Sequence, residues 1–405
     1  MINLYYRLYQ KAFRIIVALI PFHFPVVIAG EDATLEVAPL VKHKLGFSRL
    51  LLVTDPQLTK INLYGALLTH LESHDITVTV YDKTQANPTI DNIEEALGFY
   101  HANACQAIIA FGGGSPIDCA KGVAARVARP KKSLRQMKGV LGVLRKTPRV
   151  IAIPTTSGTG SETTLALVVT NALTHEKYAI TDPNLFPAYA ILDPLLTRNL
   201  PSHITSTTGM DALTHAIEAY IGQSNTKETK ALAIDAIRHI FTYLPKVFAS
   251  PEDIESRLGM QQAAFWAGKA FTMAYVGNVH AIAHTLGGFY NTPHGLANAV
   301  VLPKVLRYYG PAVHTNLAQL SDAIDLIDKN ASDAEKAEAF IEEIETMNLT
   351  MKIPTTLSGI RDEDIPKMAK NAYAEANPFY PVPVIFTHSD FETVIQSIRS
   401  PQEVL

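Results

Sequence analysis

Between Arg49 and Asp193 the apolar positions follow two rhythms. The runs LLLVTD, ITVTVY, AIIAFGGG and RVIAIPTT are short, rich in branched aliphatic residues and bounded by turn formers, and each predicts a buried strand. Between them, Ile90–Ala104 and Pro116–Val127 carry apolar side chains at helical spacing. Strands alternating with helices in this way predict a parallel sheet covered on both faces. After Leu200 the helical rhythm takes over, through Gly209–Tyr220, Thr229–Phe241 and Ile254–Ala270, and strand-like runs become scarce. The expected architecture is an α/β half over residues 1–200 and an all-helical half over 201–405. A cleft between two such halves is the expected ligand site.

The start of the chain, MINLYYRLYQKAFRIIVALI, has its own pattern. Arg7, Lys11 and Arg14 recur at helical spacing, and Leu4, Leu8, Ile15 and Leu19 fall on another face. This predicts an amphipathic helix over about residues 3–20, assigned with the α/β half. Its charges leave no apolar span long enough to cross a bilayer. It is expected to pack on its own domain or on a second subunit; the competing reading is a helix lying on a membrane surface.

Composition narrows the function. With 47% hydrophobic and 18% charged residues the chain can bury a large core and is expected to be globular throughout. Its net charge is −3 and it has no long Lys/Arg run, so a nucleic-acid partner is not expected. The two cysteines, Cys105 and Cys119, form no CxxC pair, which fits a reducing cytoplasm.

Two loops at strand ends suggest a nucleotide. In AIIAFGGGSPID (107–118), Gly112, Gly113 and Gly114 let backbone N–H groups approach a phosphate, and Pro116 suits the first turn of a following helix. The common G-x-G-x-x-G spacing is absent, and Asp55, the acidic residue placed to hold a ribose, precedes the glycines. A variant of the standard dinucleotide fold is therefore expected. IPTTSGTGSE (153–162) also follows a strand, and its Thr155, Thr156, Ser157, Thr159 and Ser161 hydroxyls suit a phosphate, ribose or nicotinamide amide. A carboxylate at Asp55 favours NAD over NADP, because it would repel a ribose 2′-phosphate.

The helical half carries the second chemistry. Asp211 and His215 are four residues apart in TGMDALTHAIEAYIG, so they project from one helix face. His280 and His284 repeat that spacing in GNVHAIAHTLGGFYNTPHG, and His294 follows on the returning loop. Carboxylate and imidazole without thiolate suit Fe²⁺, Zn²⁺, Co²⁺ or Ni²⁺. Spacing alone leaves open which three of the four histidines bind.

Together GGGSPID, PTTSGTGSE, MDALTHAIE and HAIAHTLGGFYNTPHG resemble the iron-containing (group III) alcohol dehydrogenases, from about residue 26 to 375. The resemblance implies a dehydroquinate-synthase-like fold, with an N-terminal dinucleotide domain and a helical metal domain, and often a homodimer. It implies Asp211, His215, His280 and His294 as ligands of one divalent ion, iron first among the candidates, with His284 near the substrate as a second-sphere or proton-relay residue. Asp55 would accept the adenosine ribose, and Gly113, Gly114 and Ser115 the pyrophosphate. Thr155, Thr156 and Thr164 would line the cofactor, with Lys177 at the nicotinamide ribose; Asp118, Gly112, Ser157 and Thr159 complete the expected NAD site. The chain departs from the family pattern at Ala376-Asn377-Pro378-Phe379, where Thr-Asn-Pro-Arg is common, and at Ala166.

The expected reaction is hydride transfer between NAD and a primary alcohol or its aldehyde. Two alternatives carry the same residues: a glycerol or polyol dehydrogenase of the same superfamily, and a metal hydrolase, which would leave the glycine loops without a purpose.

Overall fold

A computed structural model of the protein describes residues 2–18, 22–172 and 176–400. The chain divides into two compact units. One contains residues 21–199 with 252–265, and the other the N-terminal segment with 200–251 and 266–405.

The first unit is built on the strands β1 (Val26–Ala29), β2 (Arg49–Val53), β3 (Thr77–Tyr81), β4 (Ala107–Gly112), β5 (Gly139–Val140), β6 (Val150–Pro154), β7 (Ala166–Asn171), β8 (Glu176–Thr181) and β9 (Tyr189–Leu192). The main sheet has the order β1-β9-β6-β4-β2-β3 and every neighbouring pair is parallel. Successive side chains alternate between faces. Leu51, Val53, Ile108, Ala110 and Ala152 therefore join one core, and Leu50, Leu52, Ile109, Phe111 and Ile153 the other. The first core is closed by the helices Ile90–Ala102 and Gly114–Ala128, through Ile93, Ala96, Ile117, Ala120 and Val123. All four strands expected from the apolar runs are present. The edge pair β1–β9 and the small sheet β5-β8-β7, in which β7 and β8 are antiparallel, were not anticipated.

The second unit is helical: α1 (Ile2–Ala18), α2 (Ser202–Ile221), α3 (Lys227–Ala249), α4 (Ile254–Ala274, whose first half is counted with the α/β unit), α5 (Asn278–Tyr290), α6 (His294–Tyr309), and later α7 (Ile365–Ala376). Every residue of α2 from Gly209 to Ile221 is buried. A polar side chain on that stretch has no route to water and must find its partners inside the protein.

The N-terminal helix differs from expectation in two ways. It belongs to the helical unit rather than the α/β half, and its apolar stripe faces outward, with Leu4, Leu8 and Ile15 exposed. The buried contacts come from the other side. Arg7 donates to Val382 O (2.6 Å) and Pro383 O (2.8 Å), Gln10 donates to Tyr380 O (2.8 Å), and Tyr6 packs with Val382 and Ile385. The backbone carbonyls of Tyr380, Val382 and Pro383 thus select the polar face. Leu19 lies outside the described residues. No helix among the described residues is long and apolar enough to cross a membrane.

Candidate active site

In the α/β unit the expected nucleotide residues follow the C-terminal ends of three adjacent parallel strands. Asp55 follows β2, Gly112–Gly114 end β4, and Thr155–Thr159 follow β6. This is the edge at which open α/β sheets bind ligands. A Cβ built on Gly114 would come within 3.1 Å of Thr159, and one on Gly113 within 3.4 Å of Thr156. The glycines thus bring the two loops against each other at the start of the helix Gly114–Ala128, where free N–H groups suit a pyrophosphate. Asp55 also caps the helix Pro56–Lys60, its Oδ1 accepting from Gln57 N (2.9 Å) and Leu58 N (3.1 Å). Lys177 reaches the same loop through Asn87: its Nζ donates to Asn87 Oδ1 (2.8 Å), whose backbone N donates to Ser115 Oγ (3.2 Å). Asn87 gave no signal in the sequence.

Two expected cofactor residues have internal tasks. Asp118 accepts from Ser161 Oγ (2.7 Å) and Val168 N (3.0 Å), and burial raises its pKa. Thr164 Oγ1 accepts from Lys121 Nζ (2.7 Å). The Lys121 ammonium, wholly buried, also donates to the carbonyls of Ser161 (2.6 Å), Thr164 (2.9 Å) and Ala166 (2.8 Å). Burial pushes Lys121 down to about 8 and the nearby Glu162 up to about 7. Lys121 was missed, because a lysine in a helix normally reads as solvated; here it ties the Ser/Thr/Gly loop to the helix after the glycines.

In the helical unit, Asp211 and His215 on α2, His280 on α5 and His294 at the start of α6 each offer one donor atom, and all four atoms lie within 4.8 Å of one another. Asp211 Oδ1 is 3.6 Å from His294 Nε2 and 3.9 Å from His280 Nε2. Four donors at about 2.1 Å around a tetrahedral ion would be about 3.4 Å apart, close to the separations of Asp211 from His294 and His280. A Cβ on Gly295 would meet Thr207 O at 2.3 Å. Only glycine lets α6 approach the α2 backbone this closely, and the approach delivers His294 to Asp211. His215 is stacked between His280 (ring centroids 4.5 Å) and Phe271 (4.2 Å).

Two side chains without an expected role complete the cluster. Glu218 accepts from His280 Nδ1 (2.6 Å), Gly277 N (2.8 Å) and Val279 N (2.8 Å), which turns His280 Nε2 toward the other donors and caps α5. Asn298 Nδ2 donates to Asp211 Oδ1 (2.6 Å) and lies 3.2 Å from the Nε2 atoms of both His280 and His294. Glu218 lies one and two helical turns past His215 and Asp211, and Asn298 one turn past His294, so same-face spacing carried both. Burial opposes the charge on Asp211, yet the three imidazoles and Asn298 hold its carboxyl below the usual range. The side chains of Asp211, His280 and Glu218 are 2% exposed, that of His294 33% and that of His284 29%, so the cluster opens on the His294 and His284 side. His284 stacks on His294 (centroids 5.2 Å) outside the four-donor set, and its Nδ1 meets Glu375 Oε1 at 2.5 Å.

Phosphate-suited turns at the end of a parallel sheet, and a buried carboxylate–imidazole donor set with one open side, are features that a nucleotide- and metal-using oxidoreductase requires. Sequence comparison specifies it. Residues 25–194 match the family Iron-containing alcohol dehydrogenase, and residues 205–398 the family Fe-containing alcohol dehydrogenase, C-terminal. The chain belongs to the iron-containing alcohol dehydrogenase family. It is 38% identical to 1,3-propanediol dehydrogenase of Citrobacter freundii over 83% of this chain and 87% of that protein. It is 35% identical to NAD-dependent methanol dehydrogenase of Bacillus methanolicus over 87% of this chain and 92% of that one. The solved structure of a 1,3-propanediol oxidoreductase superposes with a TM-score of 0.89 at 34% identity, covering 94% of this chain and 100% of that one.

Proposed function

We propose that the protein is an NAD-dependent dehydrogenase that interconverts a small primary alcohol and its aldehyde, with one divalent ion held by Asp211, His215, His280 and His294. The observation that carries this reading is the four-donor cluster: a carboxylate and three imidazoles, mostly buried, open to one side. When bound, the ion supplies Lewis acidity at the substrate oxygen and the nicotinamide supplies the hydride acceptor. The chain's own residues do the rest. Glu218 fixes which nitrogen of His280 faces the donor set. The glycine and hydroxyl loops hold the cofactor's phosphates and riboses, with Asp55 selecting the free ribose of NAD. Oxidation of the alcohol releases hydride to NAD⁺ and one proton, which His284 accepts and passes to solvent from the open side.

Related proteins named for a propanediol and for methanol support a small, unbranched substrate. Iron is the metal favoured by the family, and Cys105 and Cys119, both free and buried, fit a reducing cytoplasm. A homodimer belongs to the same reading, and sedimentation of the purified chain tests it. The decisive test of function is NADH absorbance on mixing the protein with NAD⁺ and a series of primary alcohols, with and without Fe²⁺ or Zn²⁺. Formation of NADH that requires the ion supports the reading; its absence with every alcohol and both ions overturns it.

A further inference from the structure

The segment that departs from the family pattern holds an arrangement the proposed mechanism has not used. Glu375, next to last in α7, points its carboxylate at two donors: His284 Nδ1 at 2.5 Å and the Tyr380 hydroxyl at 2.7 Å, both on Oε1. Its carboxyl is held below the usual range, because His284 and Tyr380 outweigh the burial that opposes the charge. Tyr380 is itself anchored. Its backbone N donates to Ala376 O (2.7 Å), and its carbonyl accepts from Gln10 Nε2 (2.8 Å) on α1. Two residues on, Arg7 donates to Val382 O and Pro383 O. The outward-facing N-terminal helix thus clamps the strand of chain that carries the tyrosine.

We propose that Glu375 is a positioning residue for the reaction: its carboxylate, held by Tyr380, fixes His284 with the proton on Nδ1, leaving Nε2 as the proton acceptor at the open side of the donor cluster. A neutral imidazole has one N–H and one lone pair, and whichever group engages one nitrogen decides what the other can do. A carboxylate only accepts, so it selects the Nδ1–H form. An amide in its place can donate or accept and selects neither. This is the carboxylate–imidazole logic of the Ser-His-Asp triad, here serving proton removal from an alcohol rather than activation of a serine. The inference rests on the reading of His284 as the proton relay.

The test is Glu375→Gln in zinc-loaded enzyme with histidine labelled by ¹⁵N, measuring metal content, NADH binding, kcat and KM for a primary alcohol, and the ¹⁵N shifts of the His284 ring. The expected result is a full complement of zinc and unchanged NADH binding. The Nδ1–H form of His284 should no longer dominate, and kcat should fall by at least about tenfold, toward the roughly 10²–10⁴-fold value of a lost acid–base group, with KM little changed. Glu375→Asp should recover part of kcat, and Tyr380→Phe, which keeps the carboxylate, should lose only a few-fold. Should Glu375→Gln not fold, Tyr380→Phe and Glu375→Asp carry the same comparison. Retention of more than half of wild-type kcat, an unchanged Nδ1–H population, or loss of zinc would each overturn the proposal. If the wild type forms no NADH from any alcohol, it is the functional reading that fails, and the ¹⁵N comparison still decides the pairing.

Discussion

Replacing Glu218 by glutamine tests whether the carboxylate behind His280 contributes to metal affinity. Glu218 receives three donors in a site that is 2% exposed. Glutamine keeps the length but has one acceptor oxygen and one NH₂ group. The arrangement that costs least leaves the oxygen with His280 Nδ1 and Gly277 N and turns the amide nitrogen toward Val279 N–H. One buried N–H then loses its acceptor, at about 1–3 kcal/mol of stability. The remaining bonds lose their charge assistance and about half their strength. Loss of such an outer carboxylate typically lowers metal affinity by about 10–100-fold. At about 1.4 kcal/mol per decade, that is roughly 1.4–2.8 kcal/mol of binding. Competition against a chelator of known affinity, run on wild type and Glu218→Gln with Zn²⁺ and Co²⁺, gives the ratio directly. A folded variant whose affinity lies within about threefold of wild type would refute the argument and reduce Glu218 to a helix cap.

Other substitutions separate the remaining roles. His294→Ala removes a donor from the exposed side and should purify with far less than one ion per chain; a stoichiometric ion by elemental analysis would exclude it from the ligand set. His284→Ala should keep its metal and its NADH binding while turnover falls about 10²–10⁴-fold, and metal loss as complete as in His294→Ala would make it a ligand instead. Asp55→Gly should improve kcat/KM for NADP relative to NAD, with part of the effect offset by loss of the cap on Pro56–Lys60; no gain in NADP use would remove Asp55 from cofactor selection. Lys121→Met removes the donor that the carbonyls of Ser161, Thr164 and Ala166 share and leaves Asp118 and Glu162 buried without their cation. It should cost about 3–5 kcal/mol in urea unfolding, and a loss below about 1 kcal/mol would show that the loop does not depend on it.

Periodicity made much of this fold legible because the central strands are buried on both faces. LLLVTD, AIIAFGGG and RVIAIPTT are continuous apolar runs for that reason, and each became a parallel strand. The edge strand β1 escaped because Val26 and Val27 are exposed and four residues carry little pattern. The N-terminal helix was legible as a helix, but its packing was not. Hydropathy ranks Leu4, Leu8 and Ile15 as the side to bury, whereas the carbonyls of residues 380–383, far along the chain, take up Arg7 and Gln10. The same limit governed the site. Asp211, His215, His280 and His294 were legible by spacing and motif, and Glu218 and Asn298 shared their helix faces. Glu375 lies 91 residues from the histidine it engages, and no local pattern connects them.

Both histidines to which the proposed mechanism gives a role on α5 have a glutamate behind them. His280 turns Nδ1 to Glu218 and His284 turns Nδ1 to Glu375, so two imidazoles one helical turn apart are each oriented by a carboxylate from a different helix. The difference between them is solvent. Glu218 and His280 are shut away at 2% exposure, where a fixed nitrogen serves an ion that stays in place. Glu375 and His284 are about a third exposed, where a fixed nitrogen can take a proton and give it to water. In the proposed mechanism, one device, set at two depths, separates holding an ion from moving a proton. It also predicts that the two glutamates fail differently: Glu218→Gln in metal affinity, Glu375→Gln in turnover.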